Sequence, residues 1–185
     1  MINTFTDFFQ FIWKPKLEKD PNKSILYRLK VFTILLVFSF FVAFFLLIII
    51  GMLTAMGIID QGEHVFDDLF EKNSALEVFL LASVMAPVIE ELIFRGPLIF
   101  FKNSKVFKFA FYGFALLFGY VHISNFEIST NVLLFSPILV APQIYLGLVL
   151  GYIRVRFGLL WSILMHAVYN GILVSISLLA IDALK

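Results

Sequence analysis

The sequence contains no cysteine, which excludes disulfides, thiolate metal ligands and a cysteine nucleophile together. A thiol-free chain suits either redox side of a membrane, so this absence says nothing of compartment. Charge is scarce as well: Asp, Glu, Lys and Arg make up 15% of the chain, and the formal net charge is +1. No basic run is interleaved with surface aromatics, which argues against nucleic acid as a partner. Internal repeats, low-complexity tracts and Gly/Ser/Pro-rich linkers are missing too, so nothing divides the 185 residues into two domains. What is present is apolar: 61% of residues are hydrophobic, 24 are Phe, and the mean hydropathy is +0.98. Such a chain has too little polar surface to coat a soluble globule, and a lipid solvent is the natural alternative.

The first Lys is Lys14, after an apolar stretch that ends in Trp13, which is unlike a cleavable signal peptide. Phe5, Phe8, Phe9 and Ile12 stand at i, i+3, i+4 and i+7, one face of a short helix suited to the headgroup layer. Lys14, Lys16, Lys19, Lys23, Arg28 and Lys30 then approach a charge-free run over about 31–59. That run exceeds the roughly 20 residues needed to cross hydrocarbon. Further spans follow at about 75–101, 107–124, 133–153 and 157–181. The second carries Glu77, Glu90, Glu91 and Arg95, with Glu77 near its outer end; the fourth contains Pro137 and Pro142, which favour a kink or a late start. The pattern predicts an all-α, polytopic transmembrane helix bundle of about five spans with an N-terminal interfacial helix. Residues 1–30 form the cytoplasmic or interfacial segment, and 31–185 the transmembrane helical domain, whose core covers about 74–181.

Loop charge predicts orientation. Asp60, Glu63, Asp67, Asp68 and Glu71 crowd one loop, whereas Lys102, Lys105 and Lys108 mark the next turn and Arg154 and Arg156 the turn before the last span. Basic segments stay cytoplasmic, which gives a multi-pass cell-membrane protein with its N-terminus inside and its C-terminus outside. Val65, Phe66, Leu69 and Phe70 suggest a second interfacial helix in the acidic loop, where His64 is solvated. Gly147 and Gly151, at small-x-x-x-small spacing, permit close helix packing.

An ionisable side chain inside a span costs several kcal/mol unless it is paired or hydrated. Glu90, Glu91, Arg95, His122 and His166 are such positions. Glu91 and Arg95 stand at i and i+4, the favourable order for a helix pair, which assigns them a structural role. Glu90 is turned about 100° away and is left free for chemistry. Counting rise from the basic turns brings Glu90, His122, His166 and Asn170 toward one layer near the midplane. A buried carboxylate is a competent general base for water, an imidazole beside it can relay the proton, and a second His with an Asn amide can stabilise an oxyanion. Two imidazoles and a carboxylate are also a zinc ligand set, so Glu90, His122 and His166 form an alternative metal site. No His-Glu-x-x-His motif is present, three helices would have to supply the ligands, and a cofactor-free reading is favoured.

These residues fall into three patterns: Glu90-Glu91-Leu92-Ile93-Phe94-Arg95, Phe118-Gly119-Tyr120-Val121-His122 and His166-Ala167-Val168-Tyr169-Asn170. In that order, each inside an expected span, they resemble the motifs of the CPBP intramembrane proteases. That group includes the type II CAAX prenyl endopeptidases and the Abi and lysostaphin-resistance-like bacterial proteins. The resemblance implies a helix bundle around a hydrated cavity, in which the first Glu of the pair activates water, assisted by both His residues and the Asn, without a metal. It makes Phe118 a supporting residue. Pro97 after Gly96 departs from the commonest form of the first motif. The expected function is an intramembrane endopeptidase, CAAX-protease-like, acting on membrane-embedded or lipidated protein or peptide substrates in the bilayer. The alternatives are a non-catalytic membrane scaffold or bacteriocin-immunity-type protein of the same fold, and, last, an ion-coupled transporter.

Overall fold

The structure, a computed structural model, describes residues 4–62 and 72–183. His64 and the expected interfacial helix around Val65, Phe66, Leu69 and Phe70 lie outside the described residues. The regular elements are α1 (Thr4–Trp13), α2 (Ile25–Ala55), α3 (Ala75–Leu80), α4 (Ala86–Phe94), α5 (Ser104–Val121), α6 (Thr130–Leu139), α7 (Ala141–Phe157) and α8 (Leu159–Ala183). A wide π turn, Leu81–Met85, joins α3 to α4, and 3-10 turns follow α4 at Gly96–Phe100 and α5 at His122–Asn125.

Among the described residues, four helical stretches are long and apolar enough to cross a membrane: Ile25–Ala55, Ser104–Asn125, Thr130–Phe157 and Leu159–Ala183. Residues 75–94 form a further unbroken helical run that packs on α8 through α3, the π turn and α4 alike. The architecture is therefore a polytopic all-α bundle. α2 shows how it treats its solvent: Val31, Leu35, Ser39 and Ala43 recur every fourth residue on the buried face, while Val37, Phe41, Phe44 and Phe45 point outward. A helix apolar all round suits a lipid surround. α2 begins at Ile25, ahead of the charge-free run, because Arg28 and Lys30 wind into its first turns, where long basic side chains reach the interface.

α1 forms where the periodicity places it, and Trp13 is exposed. Its buried face is a different one, set by Phe8 and Phe11, with Phe9 turned out. Those two rings meet Tyr152 of α7 edge-on at 5.4 and 5.2 Å, and Phe11 also meets Phe111 at 5.3 Å. Asp7 decides the rotation: it accepts from the Tyr152 hydroxyl and pairs with Arg156 at 2.8 Å. The proline-containing span is broken at Val140, between α6 and α7. Pro142 falls in the first turn of α7, where a missing N–H costs nothing. Gly158, at φ 111°, turns the chain into α8 with a backbone that side chains resist.

With lipid as apolar as leucine, helices associate through close packing. α5 and α7 meet on glycines: a Cβ added at Gly119 would stand 2.2 Å from Ile144 Cγ1 and 3.1 Å from the Ile144 backbone nitrogen, and one at Gly147 3.1 Å from the Ala115 carbonyl oxygen. Gly119→Ala should therefore destabilise the protein by about 1–3 kcal/mol through overpacking. Gly113→Ala, with nothing within 4 Å of its Cβ, should be neutral or stabilising by up to about 1 kcal/mol. Thermal unfolding of both variants in one detergent checks this pair; equal midpoints would remove the glycine seam from the account of packing.

Candidate active site

Glu91 is the most enclosed carboxylate described, with 0% of its surface exposed, and Arg95 beside it is 1% exposed. One turn of α4 separates them and brings Arg95 Nη1 to 3.0 Å from Glu91 Oε1. His166 Nδ1 also lies 3.1 Å from Glu91 Oε1, and the Ser162 hydroxyl donates to Glu91 Oε2. A carboxylate only accepts, so His166 carries its proton on Nδ1 and holds its ring in one orientation. Arg95 is fixed from three more directions. Its guanidinium lies 3.9 Å over the Phe118 ring, Nη2 approaches the Gly147 carbonyl at 3.4 Å, and the Arg95 carbonyl accepts from Arg154 Nε at 3.1 Å. Both oxygens of Glu91 are thus engaged, by Arg95 and His166 on one side and Ser162 on the other, which is how a buried charge is kept.

Glu90, one residue earlier, is in the opposite condition. Its side chain is 26% exposed, and Oε2 lies 3.7 Å from His166 Nε2. That oxygen is buried and makes no hydrogen bond among the described residues. His166 consequently stands between two carboxylates, with Nδ1 toward Glu91 and Nε2 toward Glu90. Among the described residues the His122 ring forms no such pair with a carboxylate. It is held by Nδ1 donating to the Phe118 carbonyl at 2.7 Å, which leaves Nε2 as an acceptor when the ring is neutral. Phe118 sits between the two imidazoles, with ring centroids 4.9 Å from His122 and 5.5 Å from His166.

Asn170 is placed by an incomplete helix. In the π turn the Ala86 N–H bonds back to the Leu81 carbonyl; the donor that would reach Ala82 in the same way belongs to residue 87, a proline. Asn170 Nδ2 donates to the Ala82 carbonyl instead, at 2.9 Å. His122, His166 and Asn170 line a cavity of about 680 Å³; Glu90 is not part of that wall, and its Oε2 stands 3.7 Å from His166 Nε2. Among the described residues no three His, Asp or Glu side chains are grouped as a metal-binding set. Glu90, His122 and His166 are not gathered into such a set.

Two residues without a place in the sequence motifs belong here. Ser162 closes the Glu91 network, and the signal for it was one turn before His166: Ser162, His166 and Asn170 recur every fourth residue in the first half of α8. Gln143 also lines the cavity, with a buried Oε1 that has no hydrogen-bond partner among the described residues; nothing in its sequence setting singles it out.

The fold and this cluster define a polytopic membrane protein with a buried ion pair beside an uncommitted carboxylate. Residues 72–172 match the family model described as type II CAAX prenyl endopeptidase Rce1-like, and the chain belongs to that family, within the CPBP group that its motifs resemble. At the level of the family it is a membrane endopeptidase. No curated protein and no solved structure matches the chain.

Proposed function

We propose that the protein hydrolyses peptide bonds within the bilayer, with water activated by Glu90. The observation that carries this is the contrast between adjacent carboxylates: Glu91 is consumed by Arg95, Ser162 and His166, whereas Glu90 Oε2 is buried, unbonded and 3.7 Å from an imidazole nitrogen. Glu90 takes a proton from water as its oxygen attacks the carbonyl carbon; the resulting C–O bond leaves a tetrahedral oxyanion. His122 Nε2, as an acceptor, orients that water, and the second N–H of the Asn170 amide faces the developing charge. Collapse breaks the C–N bond, and the proton held by Glu90 passes to the departing amine through His166. Arg95 and Glu91 set the position of His166 without touching the substrate. The substrate class is a protein or peptide segment held in the membrane.

A second reading of the base follows from the cavity wall, which includes His166 and not Glu90. His166, oriented by Glu91 as a triad histidine is by its carboxylate, would itself take the proton, and Glu90 would only stabilise the imidazolium.

The test compares, by mass spectrometry, the protein termini and membrane peptides of cells expressing wild type with those of cells expressing Glu90→Gln at equal level. New termini confined to wild type are expected, and they should persist in membranes treated with 1,10-phenanthroline. Identical profiles would favour the scaffold alternative, and loss of the termini with the chelator would return zinc to Glu90, His122 and His166.

A further inference from the structure

Among the described residues, the lining of the cavity extends from the cluster toward one end of the bundle. Along α8 its lining runs from His166 to Ile181, about 22 Å at 1.5 Å per residue. On α2 it touches Ala43, Leu47 and Ile50, in the half that ends at Ala55, and it continues to Gln61 beyond that helix. On the other side of His166 the interior is filled by the buried Glu91, Arg95 and Ser162 and by Phe107, Phe111 and Leu150.

The filled end is also the basic end. The Asp20 amide, in the segment that carries Lys14, Lys16, Lys19 and Lys23, donates to the Arg156 carbonyl at 3.1 Å, and Asp7 of α1 pairs with the Arg156 side chain. Arg154 reaches the Arg95 carbonyl, at the start of the turn that leads to Lys102, Lys105 and Lys108. The three basic segments of the sequence therefore meet at one end. At the opposite end, the Asp60 amide and the Ile58 carbonyl are both held by the Asn131 side chain, and Gly62 packs on Glu127. Short basic segments are retained in the cytoplasm during insertion.

From these two asymmetries we infer that the cavity opens on the non-cytoplasmic face of the membrane, so that its partner is a peptide segment presented from outside: an exported peptide or the outer flank of another membrane protein. The direction of opening stands without the hydrolytic reading; that the peptide is cleaved rests on it.

The cysteine-free sequence supplies the test. Single variants Ser177→Cys, in the cavity lining, Gln61→Cys, at its mouth, and Lys105→Cys, at the basic end, are exposed in intact cells to a membrane-impermeant maleimide, which needs a hydrated thiol. Ser177→Cys and Gln61→Cys should label as fully in intact as in permeabilised cells, and Lys105→Cys only after permeabilisation. The reverse pattern overturns the inference. Labelling of Gln61→Cys from outside with none at Ser177→Cys in either condition also overturns it, since the cavity would then not be continuous with that surface. None of these outcomes depends on peptide hydrolysis, so a silent profile of termini and a failed labelling pattern are separate results.

Discussion

Glu90→Gln is expected to lower kcat by roughly 10³-fold while the protein accumulates and unfolds at close to the wild-type temperature. The substitution keeps shape and removes only the basic oxygen, and among the described residues that oxygen makes no hydrogen bond whose loss would weaken the fold. His166 Nε2 stands 3.7 Å from it, beyond hydrogen-bond length. Kinetics on the substrate found from the termini, with a thermal melt of the same preparation, check both halves. A fall within roughly tenfold would move the base to His166, and a collapse of the melting temperature would make Glu90 a packing residue.

Glu91→Gln should do the converse, destabilising the protein by about 3–5 kcal/mol, because it leaves the Arg95 guanidinium buried without its counter-charge. Arg95 is 1% exposed and cannot turn toward water. The Ser162 hydroxyl and His166 Nδ1 lose an ionised acceptor at the same time. The double variant Glu91→Gln/Arg95→Met removes the stranded charge and should recover part of the loss, so the pair is expected to be strongly non-additive. Unfolding midpoints and membrane accumulation measure this. A Glu91→Gln protein as stable as wild type and lacking only activity would place Glu91 in the chemistry and overturn its structural role.

Much of this was legible in the sequence for identifiable reasons. Long apolar runs reveal spans because lipid enforces them, and Pro137 with Pro142 marked the break between α6 and α7. The contact of Glu91 with Arg95 could be read from a four-residue spacing because both lie on one helix. Contacts between helices could not. Counting rise from the turns brought Glu90, His122 and His166 into one layer, but only the crossing of α4 and α8 puts His166 between the two carboxylates. The docked face of α1 escaped for a similar reason: hydrophobic periodicity weighs the phenylalanines and ignores Asp7, whose partners lie about 150 positions away.

The wide turn before α4 has a consequence for which of the two glutamates is free. The residues of this run buried against the rest of the bundle are Val78, Ala82, Ser83, Pro87, Glu91 and Arg95, so the stripe reaches Ala82 in a step of four and resumes in steps of four from Ser83. The shift by one residue, where both Ala82 and Ser83 are buried, is the π turn. Had the helix kept an even winding, with about 100° per residue throughout, the buried stripe would have continued through residues 86, 90 and 94. Glu90 would then have occupied the enclosed place now held by Glu91, and position 94, the next along that stripe, is a phenylalanine and carries no cation to meet it. The division of labour between two chemically identical neighbours is thus a matter of phase, set by one slip in the winding several residues upstream of either.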